Sequence, residues 1–160
     1  MKMFGSQILS RVKWHMYHLD EIKNAVFWRR QEMKKRRFNL EGIKPRGVPS
    51  DPTANEAIMN ATPLKAVDVR SGVVFHPEAW IEAITAITSR LNKDEMAFFS
   101  AVFQNQKRPE VVCDLFSMSR GTFFRRRDEY ITLCAIAAAE RGLIKIADET
   151  QPEGEPESLV

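Results

Sequence analysis

Glycine-rich phosphate loops, cysteine and histidine sets at metal-ligand spacing, and strained nucleophile turns are all missing from this sequence. With them go the commonest routes to enzyme chemistry. His15 and His18 stand three apart and could share a helix face, yet no nearby cysteine or carboxylate set completes four ligands. The acidic pairs Asp20-Glu21, Asp94-Glu95 and Asp128-Glu129 are adjacent in sequence, so each pair points to different helix faces and does not suit shared acid/base work. The expectation is a protein that is not an enzyme and takes no cofactor. Only two cysteines occur, Cys113 and Cys134, both on apolar faces of predicted helices, and they read as reduced core residues rather than a disulfide. No apolar run reaches the roughly 18 residues of a membrane span, and the first residues lack a secretory h-region and cleavage site. These absences point to a cytoplasmic protein without a membrane partner.

What is present is charge, unevenly placed. The formal balance is +3 for 160 residues, with 44% hydrophobic and 28% charged, a composition that suits one folded core with appendages. Residues 1–49 carry twelve lysines and arginines against four acids, a net +8. Residues 107–127 carry six against two, a net +4, while the last thirty-three residues carry two against eight. Two basic patches on a nearly neutral chain suggest a polyanionic partner.

The pattern along the chain predicts a mainly α protein. From Ser6 to Arg37 nothing breaks a helix, and Ile8, Val12, Leu19, Ile22, Val26 and Met33 recur at steps of three and four, interrupted at His15 and Arg29. That seam could pair two chains as a coiled coil or dock on the rest of the domain. Trp14, Tyr17, Phe27 and Trp28 lie off the seam, which suggests a second buried surface. The helix ends in Arg29, Arg30, Lys34, Lys35, Arg36 and Arg37 around one acid, Glu32. Cations suit a helix C-terminus on their own, and they also suit a phosphate-contacting arm.

Residues 1–38 thus read as a basic N-terminal helix for oligomerisation or DNA contact, and 39–75 as a linker with a short helix entered at Asp51 and Pro52. Val67–Phe75 reads as a hairpin or an extended connector. A helix is expected from Pro77 through Trp80, Ile81, Ile84, Ile87 and Leu91. Asn92-Lys-Asp-Glu starts another, Met96 to Phe103, with Met96, Phe99 and Phe103 covering the helices beyond it, and Lys107-Arg108-Pro109 closes it and opens the next. Residues 76–146 form the C-terminal domain, and 147–160 an acidic, disordered tail.

The segment Arg108–Arg127 organises the rest. It reads as a short helix, a tight turn and a second helix, with Cys113 the small residue at the crossing and Phe116 one turn later. Ser117 marks the turn, Met118 fills the angle between the helices, Ser119 caps the second helix and Phe123 points back into the crossing. Helical spacing leaves Arg120, Gly121, Thr122, Phe124 and Arg125 on the outward face, flanked by Arg126 and Arg127. The second helix continues to Arg141, where Gly142 ends it. A helix that starts this way can enter a major groove, with its first residues at base edges and its arginines at guanine or phosphate. Ser119, Arg120, Thr122, Phe124 and Arg125 are then the candidate readers, and Arg126, Arg127, Lys107, Arg108 and the 29–37 cluster the phosphate contacts. An ordinary helical hairpin with a solvated basic edge is the alternative.

With these residues placed, the chain resembles phage late-gene transcriptional regulators of the ArpU and RinA type. The similarity rests on the long basic N-terminal helix, on Ser50-Asp-Pro-Thr-Ala54 followed by Ala57-Ile58, and on Met118-Ser-Arg-Gly-Thr-Phe123 with Arg126. The last is similar to the helix-turn-helix of sigma factor region 4, although Ser117 and Cys113 stand where glycine and alanine are more usual. The resemblance implies binding to double-stranded promoter DNA, activation of late packaging and morphogenesis genes with host RNA polymerase, and a homo-oligomer, a dimer being favoured. A small terminase-like DNA-packaging protein that assembles into a ring joins similar segments, and is the alternative.

Overall fold

Helix starts in this chain follow capping chemistry. Pro77 and Pro109 occupy opening helical positions, where a missing N–H is no loss. Asn92 accepts from the Glu95 amide while the Glu95 carboxylate accepts from the Asn92 amide, a reciprocal capping box. Ser119 Oγ accepts from the Thr122 amide at 3.2 Å. The computed structural model describes residues 4–41 and 61–145, and of 37–41 the backbone alone. Residues 42–60 of the expected linker, which include the Ser50–Ala54 motif, and the acidic tail lie outside these residues.

The described chain is mainly helical with one two-stranded sheet. Its elements are α1 (Ser6–Tyr17), α2 (Leu19–Glu41), β1 (Ala66–Val69), β2 (Gly72–Phe75), α3 (Pro77–Thr88), α4 (Lys93–Phe99), a π turn (Ser100–Gln104), α5 (Pro109–Phe116) and α6 (Arg120–Glu140). β1 and β2 are antiparallel, with Val67 opposite Val74. Both of those valines are buried while Val73 and Phe75 face out, so the hairpin is the form that Val67–Phe75 takes.

The unbroken helix expected over 6–37 divides at His18, which leaves helical geometry at φ −105°, ψ 15°. Its Nδ1 lies 2.7 Å from the Trp14 carbonyl, which also accepts the His18 amide. His15 makes the same contact with the Arg11 carbonyl at 2.7 Å inside the unbroken helix, so the contact accompanies the break at His18 without accounting for it. The break lets α1 pack on α6 while α2 packs on α3 and β1. Val12, Leu19 and Ile22 are buried, and Ile8, Val26 and Met33 pack half-buried against the same core. The seam therefore docks on its own chain. The basic helix is no appendage, because one core cluster runs from Phe4 to Ile144. The second buried surface holds for Trp14 and Tyr17 only: Phe27 and Trp28 stand 55% and 62% exposed.

The helix from Pro77 stops at Thr88 rather than reaching Leu91. At the far end of the fold, Gly142 adopts φ 71°. Its amide donates to Ala139 and that of Leu143 to Ala138, which closes α6 with a Schellman arrangement as the glycine there predicts. Cys134 is buried, and burial pushes its thiol up to about 12. Cys113 is a half-buried free thiol.

His15, an expected interruption of the seam, is buried and stacks on Trp80 with ring centroids 3.8 Å apart. Burial lowers its pKa from the usual 6.5, and the electrostatic influence of Arg11 and His18 acts in the same direction, against the Arg11 carbonyl that it bonds. A base whose folded pKa is depressed stays neutral in the fold and charges more readily when unfolded. Its stabilisation is complete above about pH 6.5 and is lost as pH falls from there through the folded value. Thermal melts across that acidic window should show a steeper loss for the wild type than for His15→Phe. Parallel curves would remove His15 from the acid response.

Candidate nucleic-acid interface

Two short stretches of sequence set the amino end of α6. Ser117 takes φ 51°, ψ 47°, a left-handed turn that a serine adopts at some cost. Ser119 then caps α6. Behind the turn, Val112 and Phe123 are buried, and Phe98 of α4 meets Phe116, Phe123 and Tyr130 with centroids 5.7, 6.0 and 5.9 Å away. The residue buried in α5 is Val112, four before Phe116 on one helix face, and not the expected Cys113. Likewise Phe98 takes the covering role expected of Met96, which is half-buried at the edge of the same core. Phe103 turns its ring towards Tyr17 instead.

On the outer side, Ser119, Arg120, Gly121, Arg125 and Arg126 are exposed and Thr122 is half-buried. Thr122 Oγ1 sits 2.9 Å from Ser119 Oγ, so its hydroxyl supports the cap. Arg120 reaches Glu110 at 3.4 Å with both side chains well exposed, a contact worth at most about 1 kcal/mol. Arg125 and Arg126 form no ion pair among the described residues. Their guanidinium groups face water.

Two expected contacts are drawn into the fold. Phe124 is half-buried against Phe123, with the guanidinium carbons of Arg120 and Arg127 at 5.5 and 5.0 Å from its centroid. Arg127 also holds Asp128 at 3.1 Å and its side chain is 19% exposed. An aromatic ring flanked by cations gains by covering them and keeping its faces from water, so Phe124 and Arg127 shape this end of α6 rather than lead it. Asp128 and Glu129 are exposed and close the cationic stretch. The exposed cationic surface of α6 is therefore confined to its first two turns.

Lys107 and Arg108 are exposed on the connection before α5. That connection is fixed by Gln106, at φ 49°, whose Nε2 donates to the Tyr17 carbonyl at 3.0 Å. Nothing in the sequence singles out Gln106, since a left-handed non-glycine residue leaves no pattern.

The α2 cluster lies elsewhere. Arg30 Nε donates to Glu78 Oε1 at 2.8 Å and Arg30 Nη2 to the Thr62 carbonyl at 2.9 Å. This arginine joins α2 to α3 and is corrected from phosphate contact to internal strut. Glu82, one turn after Glu78, reaches Arg141 at 4.0 Å. The base of the α2 cluster thus sits at the carboxyl end of α6, whose 21 residues hold its amino end about 30 Å away along the axis. Arg29 pairs with Glu32 at 3.4 Å, and Lys34, Lys35 and Arg36 are exposed. The side chain of Arg37 lies outside the described residues.

The chain matches no family model, no curated protein and no solved structure. The site's own chemistry is therefore what carries a functional reading. Among the described residues no group of three or more histidines, cysteines and acids could hold a metal, and no helix is long and apolar enough to cross a membrane. His15 and His18, the pair suggested for a metal by their spacing, are each engaged by Nδ1 with a backbone carbonyl and stacked on Trp80 and Trp14.

Proposed function

We propose that this chain binds double-stranded DNA through the amino end of α6 and acts as a sequence-specific transcription regulator. The observation that carries the reading is Gly121. It is exposed, it occupies the first turn of α6, and a Cβ built on it meets nothing within 4 Å. Neither packing nor a positive φ requires glycine there, and glycine costs a helix roughly 0.5–1 kcal/mol relative to alanine. Close approach of another molecule accounts for its presence. Arg120, Arg125 and Arg126 surround that open position, a set suited to guanine edges and phosphates. Ser119 and Thr122 place their paired hydroxyls at the helix start.

In this reading α6 supplies base readout, and Lys107 and Arg108 add phosphate contacts. The exposed α2 cations, one helix length away, engage backbone beyond the same half-site. The likeness to ArpU- and RinA-type regulators supports an activator of phage late genes that works with host RNA polymerase as a homodimer. Two substitutions separate this role from a solvated helical hairpin. Gly121→Ala should raise the unfolding free energy of the free protein by about 0.5–1 kcal/mol, while Gly121→Leu should fold normally and lose affinity for duplex DNA. A Gly121→Leu protein that binds duplex as well as the wild type would defeat the proposal.

A further inference from the structure

The exposed aromatic pair on α2 has no use in the duplex reading. Phe27 and Trp28 stand 55% and 62% exposed, edge to face with centroids 5.4 Å apart. Large rings are seldom left in water without a task, and a paired exposed set marks an interaction face more often than a lone one. Seven residues on, at two helical turns, Trp28 is followed on its own face by Lys35, and Arg29 by Arg36; Lys23 lies one turn before Phe27. All four cations are exposed. The face therefore carries rings and cations along the helix with one acid among them, Glu32, which Arg29 holds at 3.4 Å; residues 23–36 have six cations against that single acid.

Charge decides the occupant. A second copy of the chain would bring like charges together at Lys35 and Arg36, and an apolar partner would leave them uncompensated. Duplex phosphates would satisfy the cations but offer no face to the rings, because the bases are stacked inside. A strand with unpaired bases satisfies both, since its phosphates pair with the cations while its bases stack on indole and phenyl rings. We infer that the Phe27–Arg36 face of α2 binds single-stranded nucleic acid, with Trp28 and Phe27 as stacking platforms and Lys35 and Arg36 as backbone contacts. This adds a second ligand to the α2 face: its cations, which reach duplex backbone in the proposed function, also serve a single strand. The rings are used by the single strand alone, and the inference stands even if α6 reads no duplex.

Anisotropy of labelled oligo-dT and oligo-rU, measured on the full chain beside a labelled duplex, tests it. Trp28→Ala and Phe27→Ala, both at exposed positions, should each weaken single-strand binding roughly tenfold and leave duplex binding unchanged. Arg125→Ala should do the reverse. Tighter binding of oligo-dT would assign the strand as DNA, and of oligo-rU as RNA. The inference is overturned if Trp28→Ala binds both oligonucleotides like the wild type, or if it weakens single strand and duplex alike. Sedimentation showing that Trp28→Ala dissociates a dimer without touching oligonucleotide binding would give the face to a second copy instead.

Discussion

Replacing Phe98 by alanine will lower the unfolding free energy by about 3–5 kcal/mol, whereas Met96→Ala will cost far less. Phe98 is 1% exposed and its ring meets Phe116 of α5 and Phe123 and Tyr130 of α6. Removing it leaves a cavity where α4, α5 and α6 converge. Met96 is only half-buried, one turn from the helix start. Denaturant unfolding of the two variants measures the difference. The consequence extends to the site, because Phe123 and Phe116 set the angle at which α6 leaves the turn. A Phe98→Ala protein that still folds should also lose duplex affinity, although Phe98 is buried away from any surface that DNA can touch.

Phe98 also shows why parts of the fold were legible in the sequence and others were not. Caps and turn residues act over three or four positions, so Asn92, Ser119, Pro77, Pro109 and Gly142 mark their helix ends from sequence alone. Periodicity works where a helix is regular, as along Val12, Leu19 and Ile22. It fails where α4 runs into the π turn: Phe98 and Phe99 before it and Ala101, Val102 and Phe103 within it are all buried, and no step of three or four describes them. It fails again at His18, where the helix breaks although no proline or glycine stands there to mark it. The candidate site divides in the same way. Exposure of Arg120, Gly121, Arg125 and Arg126 follows from their spacing after Ser119. The capture of Arg127 by Phe124 and Asp128, and of Arg30 by Glu78, depends on neighbours that spacing does not reveal.

The second large effect concerns Arg125. It is exposed, forms no ion pair among the described residues, and sits one turn beyond Gly121. Arg125→Ala should weaken binding to a preferred duplex by roughly 1–3 kcal/mol, a loss of about 5- to 150-fold, while random duplex loses much less. Lys35→Ala gives the contrast: its loss should be small and alike on both duplexes, with the salt dependence reduced by about one counterion. Equal losses on preferred and random DNA for Arg125→Ala would assign the arginine to phosphate and remove base readout from this position. Because the side chain lies in water, its removal should leave the melting temperature unchanged, so a change in binding cannot be ascribed to unfolding.

The most direct measurement is selection of bound duplex fragments from a random pool by the full chain, followed by hydroxyl-radical footprinting of the enriched sequence with wild type and Arg125→Ala. The account predicts a short enriched motif, protection centred on it, and loss of that protection in the variant. A pool that enriches no sequence, or a footprint that Arg125→Ala leaves unaltered, would contradict the claim that the open amino end of α6 reads DNA.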